Sequence, residues 1–304
     1  MQHVLSARQF DQAAIADIFE RTDCMQERLA SAEGRRQLAV SHLGEVAATL
    51  FYEPSTRTRL SFESAAARLG MGIISTENAK EYSSSIKGES LEDSIRTVSA
   101  YAGVIIMRHG DEDSSERAAA VSPVPVINAG AGKGEHPTQS LLDLYTIRQE
   151  TGQSQDLRVV IGGDLAHGRT ARSLAQLLSL YPNNHLTFVS TSELQMGQDI
   201  LDHLEERGTT YDQTDDMFSA IREADVIYWT RLQKERLADQ SLVSAFSINQ
   251  AALQVMKPEA VIMHPLPRNH EIEASVDTDP RAKYFDQVQN GLVVRMALLD
   301  MLTA

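Results

Sequence analysis

The sequence predicts an α/β protein made of two doubly wound domains, each a mostly parallel sheet flanked by helices. Three observations carry that expectation. The 304 residues exceed one ordinary core and suit two domains of about 150 residues each. Short apolar runs bounded by glycine or proline alternate with segments of helical periodicity, the pattern of parallel strands joined by crossover helices. A polar break, Thr151-Gly152-Gln153-Ser154-Gln155, then opens a fresh round of the same pattern.

Residues 6–50 read as largely helical, with Phe10, Ala13, Ala14, Ile18, Phe19 and Leu29 at helical spacing over 9–30. The run 46–52 is short, apolar and stopped by Pro54, so it predicts a buried strand. A helix starts next, because Pro54 cannot continue one from upstream and Ser55 and Thr56 are good N-cap types. Phe62, Ala65, Ala66 and Leu69 give that helix one apolar face, and Gly70 ends it. Its first turn is an anion site in the making. Free backbone N–H groups, the positive end of the dipole and the hydroxyls of Ser55, Thr56 and Thr58 suit phosphate oxygens, and Arg57 adds a bidentate donor. The alternative is a plainly capped surface helix, which hydroxyls and two arginines packed into five residues disfavour.

Residues 71–75 predict the next strand, followed by a polar loop over 81–90 that carries Ser83 and Lys87 and reads as mobile. A helix over 91–101 leads to an apolar strand at 104–107 that ends in Arg108. Open α/β sheets bind ligands at such carboxyl ends, although a salt bridge to a helix is the common use of an arginine there. A strand at 124–128 feeds a glycine-rich loop, and Pro137 fits the first helical position, which sets His136 at the mouth of a helix and Gln139 in its first turn. Capping or packing is the ordinary role of a histidine there; the glycine-rich loop and the amide beside it favour a ligand role.

In the second half, 157–164 predicts a strand into a loop and 169–178 the helix after it. Gly162, Gly163 and Gly168 lack the G-x-G-x-x-G spacing, so a dinucleotide site is weakly supported, and Arg169 at the helix start suits a carboxylate instead. A strand at 185–190, helices at 198–207 and 217–223, and a strand at 226–229 follow, the last running into Thr230-Arg231-Leu232-Gln233-Lys234-Glu235-Arg236. After a strand at 260–263, the prolines of His264-Pro265-Leu266-Pro267-Arg268 predict an extended backbone with carbonyls open to a ligand amine. An apolar helix over 291–302 closes the chain.

Composition excludes several classes. With 42% apolar and 23% charged residues the chain is globular rather than disordered. No apolar run approaches the ~20 residues of a membrane span, and the amino terminus lacks a signal-peptide pattern, so a cytoplasmic setting is expected. Cys24 is the only cysteine, which rules out an internal disulfide or thiolate cluster. A net charge of −14 makes nucleic acid a poor partner. Metal-binding spacings, a phosphate-binding P-loop and a G-x-S-x-G elbow are absent from the sequence, and neither metal nor cofactor is expected.

Five segments in order, Ser55-Thr56-Arg57-Thr58-Arg59, Met107-Arg108-His109, His136-Pro137-Thr138-Gln139, Gly168-Arg169-Thr170 and His264-Pro265-Leu266-Pro267, resemble the catalytic chains of the aspartate carbamoyltransferase family. The likeness spans essentially the whole length. It implies a carbamoyl-phosphate-binding domain of residues 1–137 plus 288–304, an aspartate-binding domain of 151–287 and a linking helix of 138–150. It further implies that Ser55, Thr56, Arg57, Thr58 and Arg108 hold the phosphate, that His136 polarises the carbonyl, and that Gln139 with the carbonyls of Pro265 and Leu266 holds the carbamoyl amine. Arg57, Thr58, Arg108 and His136 would be the catalytic set, and Arg169, Arg231 and Gln233 would take the aspartate carboxylates. Ser83 and Lys87 would be lent to a neighbouring subunit, Lys87 also meeting aspartate, so that a homotrimer with shared sites is expected.

The implied reaction is carbamoyl transfer from carbamoyl phosphate to L-aspartate in pyrimidine biosynthesis, with regulatory or other pathway subunits as further possible partners. The rivals are transfer to ornithine or another amine, and a non-catalytic assembly subunit. Ornithine enzymes usually carry a cysteine at the position of Pro265, and the full ligand set disfavours a scaffold. Ala166-His167 and Asn269-His270 depart from the family's common residues without removing any ligand named above.

Overall fold

The computed structural model describes residues 1–77, 88–132, 135–231 and 246–303. They form two compact units, Met1–Leu141 with Gln289–Ala304, and Leu142–Val288.

The first unit opens with α1 (Gln12–Ala30) and α2 (Ala32–Leu38) and continues through β1 (Val46–Phe51), α3 (Thr56–Arg68), β2 (Gly72–Glu77), α4 (Leu91–Ser99), β3 (Val104–His109), α5 (Ser114–Val121) and β4 (Val126–Ala131). The helices begin where side chains take up their free N–H groups: Asp11 accepts from Ala14 at 2.8 Å and Ser90 from Asp93 at 3.1 Å. The strands are all parallel in the order β2-β1-β3-β4. Their apolar runs are continuous because β1, β3 and β4 are buried along nearly their whole length. In this order the chain leaves β1 toward one edge and β3 toward the other, so the carboxyl ends of β1 and β3 form the switch point where such sheets bind ligands.

Helix α6 (Pro137–Thr151) carries the chain into the second unit. There β5 (Arg158–Gly162), α7 (Arg169–Leu178), β6 (His185–Val189), α8 (Gln198–Glu206), β7 (Thr210–Thr214), α9 (Met217–Arg222), β8 (Val226–Trp229), α10 (Gln250–Val255) and β9 (Val261–Met263) build a second parallel sheet, ordered β7-β6-β5-β8-β9. Its switch point lies between β5 and β8. Val160, Ile227, Trp229 and Ile262 fill one side of this sheet with Phe246, Ile248 and Tyr284, each large side chain contributing about 1.5–3 kcal/mol on burial. The closing helix, α11 (Tyr284–Thr303), returns the chain to the first unit.

Several elements differ from the expectation. β7 reads Thr-Tyr-Asp-Gln-Thr on an exposed sheet edge, and its polarity hides it from an apolar-run criterion. α10 is six residues long and is set by its cap, Asn249, which accepts from Ala251 and Ala252. β4 extends to Ala131, into the stretch expected to be loop, because Ala131 pairs with His109. α11 begins at Tyr284 rather than near 291, its first turns presenting Phe285 and Val288 to solvent and blurring the periodicity. The extended backbone expected over 265–267 is also corrected: Leu266 has φ 50°, in the left-handed region, before a cis bond to Pro267. The His264 ring closes this turn by accepting the Leu266 N–H at 2.8 Å.

Candidate active site

The anion site follows from where β1 stops and α3 starts. Ser55 is the N-cap of α3, yet its hydroxyl makes no cap hydrogen bond, unlike Asp11, Ser31 and Ser90 at the starts of α1, α2 and α4. The first intrahelical bond runs from Arg59 N–H to the Ser55 carbonyl at 3.1 Å, so the N–H groups of Thr56, Arg57 and Thr58 precede the ladder. The plain-cap alternative is thereby disfavoured. Thr58 is buried, whereas Arg57 stands exposed with a guanidinium whose pKa partial burial lowers without discharging it.

Arg59, two residues on, does something else. Its guanidinium bonds Glu77 at 2.8 Å and Ser75 at 3.3 Å and lies 3.5 Å from Glu63, tying α3 to β2. Arg295 anchors the same helix from behind, donating to Ser61 at 2.8 Å over the ring of Phe62.

Arg108 is the register partner of Phe51, and its carbonyl accepts the Tyr52 N–H at 2.9 Å, which puts it at the switch point beside the α3 start. Its Nε lies 3.7 Å from Glu53 Oε2, an ion pair within the site stretch. Glu53 is 41% exposed, and a screened pair at this distance yields readily to a dianion. Sequence reasoning assigned Glu53 no role; its only signal was its place in the stretch. From β4 the chain reaches His136, which is buried directly ahead of α6, with its carbonyl capping Gln139 and Ser140 at 3.0 and 3.2 Å. Ser55, Thr56, Arg57, Thr58, His136 and Gln139 thus lie after the carboxyl ends of β1 and β4 or on the first turn of the helix that follows, and Arg108 is the penultimate residue of β3.

In the second unit Arg169 opens α7 and Arg231 follows β8. Gly162 and Gly163 let β5 and β8 approach closely here: a Cβ would strike the Trp229 ring at the first and Thr230 at the second, where φ is +117°. The glycine pair serves this contact rather than a nucleotide. Pro265 and Leu266 follow β9, so Arg169, Arg231 and the Leu266 turn share the carboxyl edge of one sheet. Ser83, Lys87 and Gln233 lie outside the described residues.

A buried polar chain behind this edge was missed. Asp143 accepts from Tyr228 Oη at 2.7 Å and from Gln287 Nε2 at 2.6 Å, Gln287 Oε1 accepts from His264 N–H at 3.0 Å, and His264 Nε2 meets Glu271 at 3.0 Å. Its signal was a lone carboxylate in the apolar run Leu141-Leu142-Asp143-Leu144. Among the described residues, no group of histidine, cysteine or carboxylate side chains could hold a metal, and no helix is long and apolar enough to cross a membrane.

Two family models match the chain: aspartate/ornithine carbamoyltransferase, carbamoyl-P binding domain, over residues 2–149, and aspartate/ornithine carbamoyltransferase, Asp/Orn binding domain, over 155–302. The chain is 47% identical over 307 residues to aspartate carbamoyltransferase 1, chloroplastic, of Pisum sativum, spanning 99% of this chain and 78% of that protein. Its fold is similar to the catalytic subunit of M. jannaschii aspartate transcarbamoylase, with a TM-score of 0.92, 40% identity and coverage of 99% of this chain and 98% of the other. It is likewise similar to aspartate transcarbamoylase from Trypanosoma cruzi in complex with N-(phosphonacetyl)-L-aspartic acid, with a TM-score of 0.93, 37% identity and coverage of 100% and 96%.

Proposed function

The chain belongs to the aspartate/ornithine carbamoyltransferase family, and we propose from that premise how its residues divide the reaction. It is an enzyme that transfers the carbamoyl group of carbamoyl phosphate to the amine of L-aspartate. The observation that carries the division is that each unit has its own switch point, one lined by phosphate-type donors and the other by cations suited to carboxylates.

On this reading Ser55, Thr56, Arg57, Thr58 and Arg108 bind the phosphate, His136 donates toward the carbonyl oxygen, and Gln139 with the carbonyls of Pro265 and Leu266 holds the carbamoyl amine. Arg169 and Arg231 take the two carboxylates of aspartate, with Gln233, and with Lys87 from a neighbouring subunit. The neutral amine attacks the carbamoyl carbon, and a tetrahedral intermediate collapses as the C–O bond to phosphate breaks. The nitrogen's proton leaves with the phosphate, and no covalent enzyme intermediate forms. Arg57, Thr58, Arg108 and His136 face the charge as it builds on the oxygens, and positioning and electrostatics supply the acceleration. Both substrates are dianions, so cations at both switch points allow them to meet. Ornithine's cationic side chain would face Arg169 and Arg231 and be repelled.

A homotrimer with shared sites is the proposed active form. Support comes from β2, an edge strand exposed along its length with Ile73 and Ile74 on its surface, from whose end the segment carrying Ser83 and Lys87 departs. Regulatory or other pathway subunits are the chain's proposed further partners. A role in pyrimidine biosynthesis follows from the product. A single cysteine in 304 residues suits a reducing compartment, and the cytoplasm is the proposed setting. The test is calorimetric titration with N-(phosphonacetyl)-L-aspartic acid, whose phosphonate and aspartate halves match the two switch points. One molecule should bind per chain, and Arg57→Ala and Arg169→Ala should each weaken binding by about tenfold or more, the worth of a charged hydrogen bond. Binding that tolerates both changes would reject the division.

A further inference from the structure

Asp143 is fully buried on α6, and its carboxylate accepts two hydrogen bonds from opposite directions, from Tyr228 on β8 and from Gln287 on α11. Each direction leads to a segment that carries a residue of the proposed site. The Tyr228 phenol also feels the nearby Thr170 side chain, and Thr170 directly follows Arg169 at the start of α7. On the other side, Gln287 orients its amide so that Oε1 receives the His264 N–H at 3.0 Å. The His264 Nδ1 accepts the Leu266 N–H at 2.8 Å, which leaves the ring proton on Nε2 to be donated to Glu271 at 3.0 Å. The bond from Leu266 N–H to Nδ1 closes the turn in which Leu266 takes φ 50°. Every member of the chain lies within the second unit.

A buried carboxylate is an expensive way to fill a core, since apolar residues of similar volume would be as stable or more so. What a fully bonded polar chain adds is a single geometry, because each donor and acceptor has one matching position. We infer that Asp143, Gln287, His264 and Tyr228 are positioning residues for the amine-accepting half of the reaction, fixing the start of α7 that presents Arg169 relative to the turn that presents the Leu266 carbonyl. The inference rests on the proposed function for what Arg169 and Leu266 bind.

The chain's polarity makes it testable by reversal of one bond. Asp143→Asn removes one of the two acceptor positions, so that either Tyr228 Oη or Gln287 Nε2 faces an amide N–H instead, and Gln287→Glu sets two carboxylates against each other. The double change Asp143→Asn with Gln287→Glu restores these three bonds: Asn donates to Glu, Glu still accepts from His264 N–H, and Asn still accepts from Tyr228. Each single variant should raise the KM for aspartate about tenfold or more, the size of one unpaired buried group. The Kd for inorganic phosphate, whose cradle lies in the first unit, should stay unchanged, a selectivity that general loosening of the fold would not produce. The double variant should recover most of the loss. Tyr228→Phe, which removes only a hydroxyl, should shift the same constant in the same direction and serves if either single variant fails to fold. Parent-like KM values in folded single variants and in Tyr228→Phe, or a double variant no better than the worse single, would overturn the inference. A parent that forms no carbamoyl aspartate would reject the functional reading itself, a different result from variants that merely match an active parent.

Discussion

Arg57 and Arg59 are the same residue type two positions apart on one helix, and the structure predicts opposite consequences for losing them. Among the described residues the Arg57 guanidinium makes no hydrogen bond or ion pair, so Arg57→Ala removes little that holds the fold and should change stability by no more than about 0.5 kcal/mol, a melting shift of ~1–2 °C. It does remove a guanidinium from the α3 start, where the proposed division of the reaction puts the charge that builds on the carbonyl and the leaving phosphate. Loss of one such donor costs about 3–4 kcal/mol in the barrier, or 10²–10³ in kcat. Arg59→Ala should reverse the pattern. It removes bonds to Glu77 at 2.8 Å and Ser75 at 3.3 Å and the nearby charge of Glu63, all on a side chain 21% exposed. At about 1–2 kcal/mol for that group, the melting temperature should fall by roughly 2–8 °C, with kcat affected far less. The assay is initial-rate formation of carbamoyl aspartate at saturating substrates, paired with thermal melts. Near-parental turnover in Arg57→Ala, or a larger catalytic loss in Arg59→Ala than in Arg57→Ala, would refute the assignment of the helix start.

Three further outcomes are expected. Ser55→Ala should lower kcat/KM for carbamoyl phosphate without moving the melting temperature, whereas Ser90→Ala, which loses a cap to Asp93 at 3.1 Å, should cost about 1 kcal/mol of stability, read by denaturant titration. Burial alone would raise the Glu271 carboxyl, but hydrogen bonds from His264 and from the backbone of Asn269 outweigh it and hold the group below its ordinary value of 4.5. Because the folded-state value is depressed, the stability Glu271 contributes is complete above pH 4.5 and lost as pH falls through the lower folded value; melts of parent and Glu271→Gln should therefore converge below pH 4.5. Mixing Lys87→Ala chains with His136→Ala chains and reassembling them should restore activity from two inactive parents if sites are shared between subunits, and hybrids with none would refute sharing.

The strands that carry most of the candidate site were legible because each is a short, largely apolar run, and burial on both faces makes such runs unmistakable. The helix start at Ser55 was legible for the same kind of reason, since Pro54 and the hydroxyls leave few alternatives. What separates Arg57 from Arg59 was not. Their difference is set by how α3 is rotated against β2, and that depends on Glu77 and Ser75, which neighbour Arg59 only once the sheet has formed. The Leu266 turn was misjudged because a residue before proline favours extended backbone, and the ring of His264 overrides that preference locally. Asp143 escaped notice because a lone carboxylate on a helix reads as a solvent face until its partners, 85 and 144 positions away, are known.

The central claim is that one chain joins a phosphate cradle to a carboxylate-binding edge for carbamoyl transfer. Incubating the purified protein with ¹³C-labelled carbamoyl phosphate and equal aspartate and ornithine, and following the carbon by NMR, tests it most directly. The label should appear in N-carbamoyl-L-aspartate with one phosphate released per product and none in citrulline. Label in citrulline, or phosphate released without labelled carbamoyl aspartate, would contradict it.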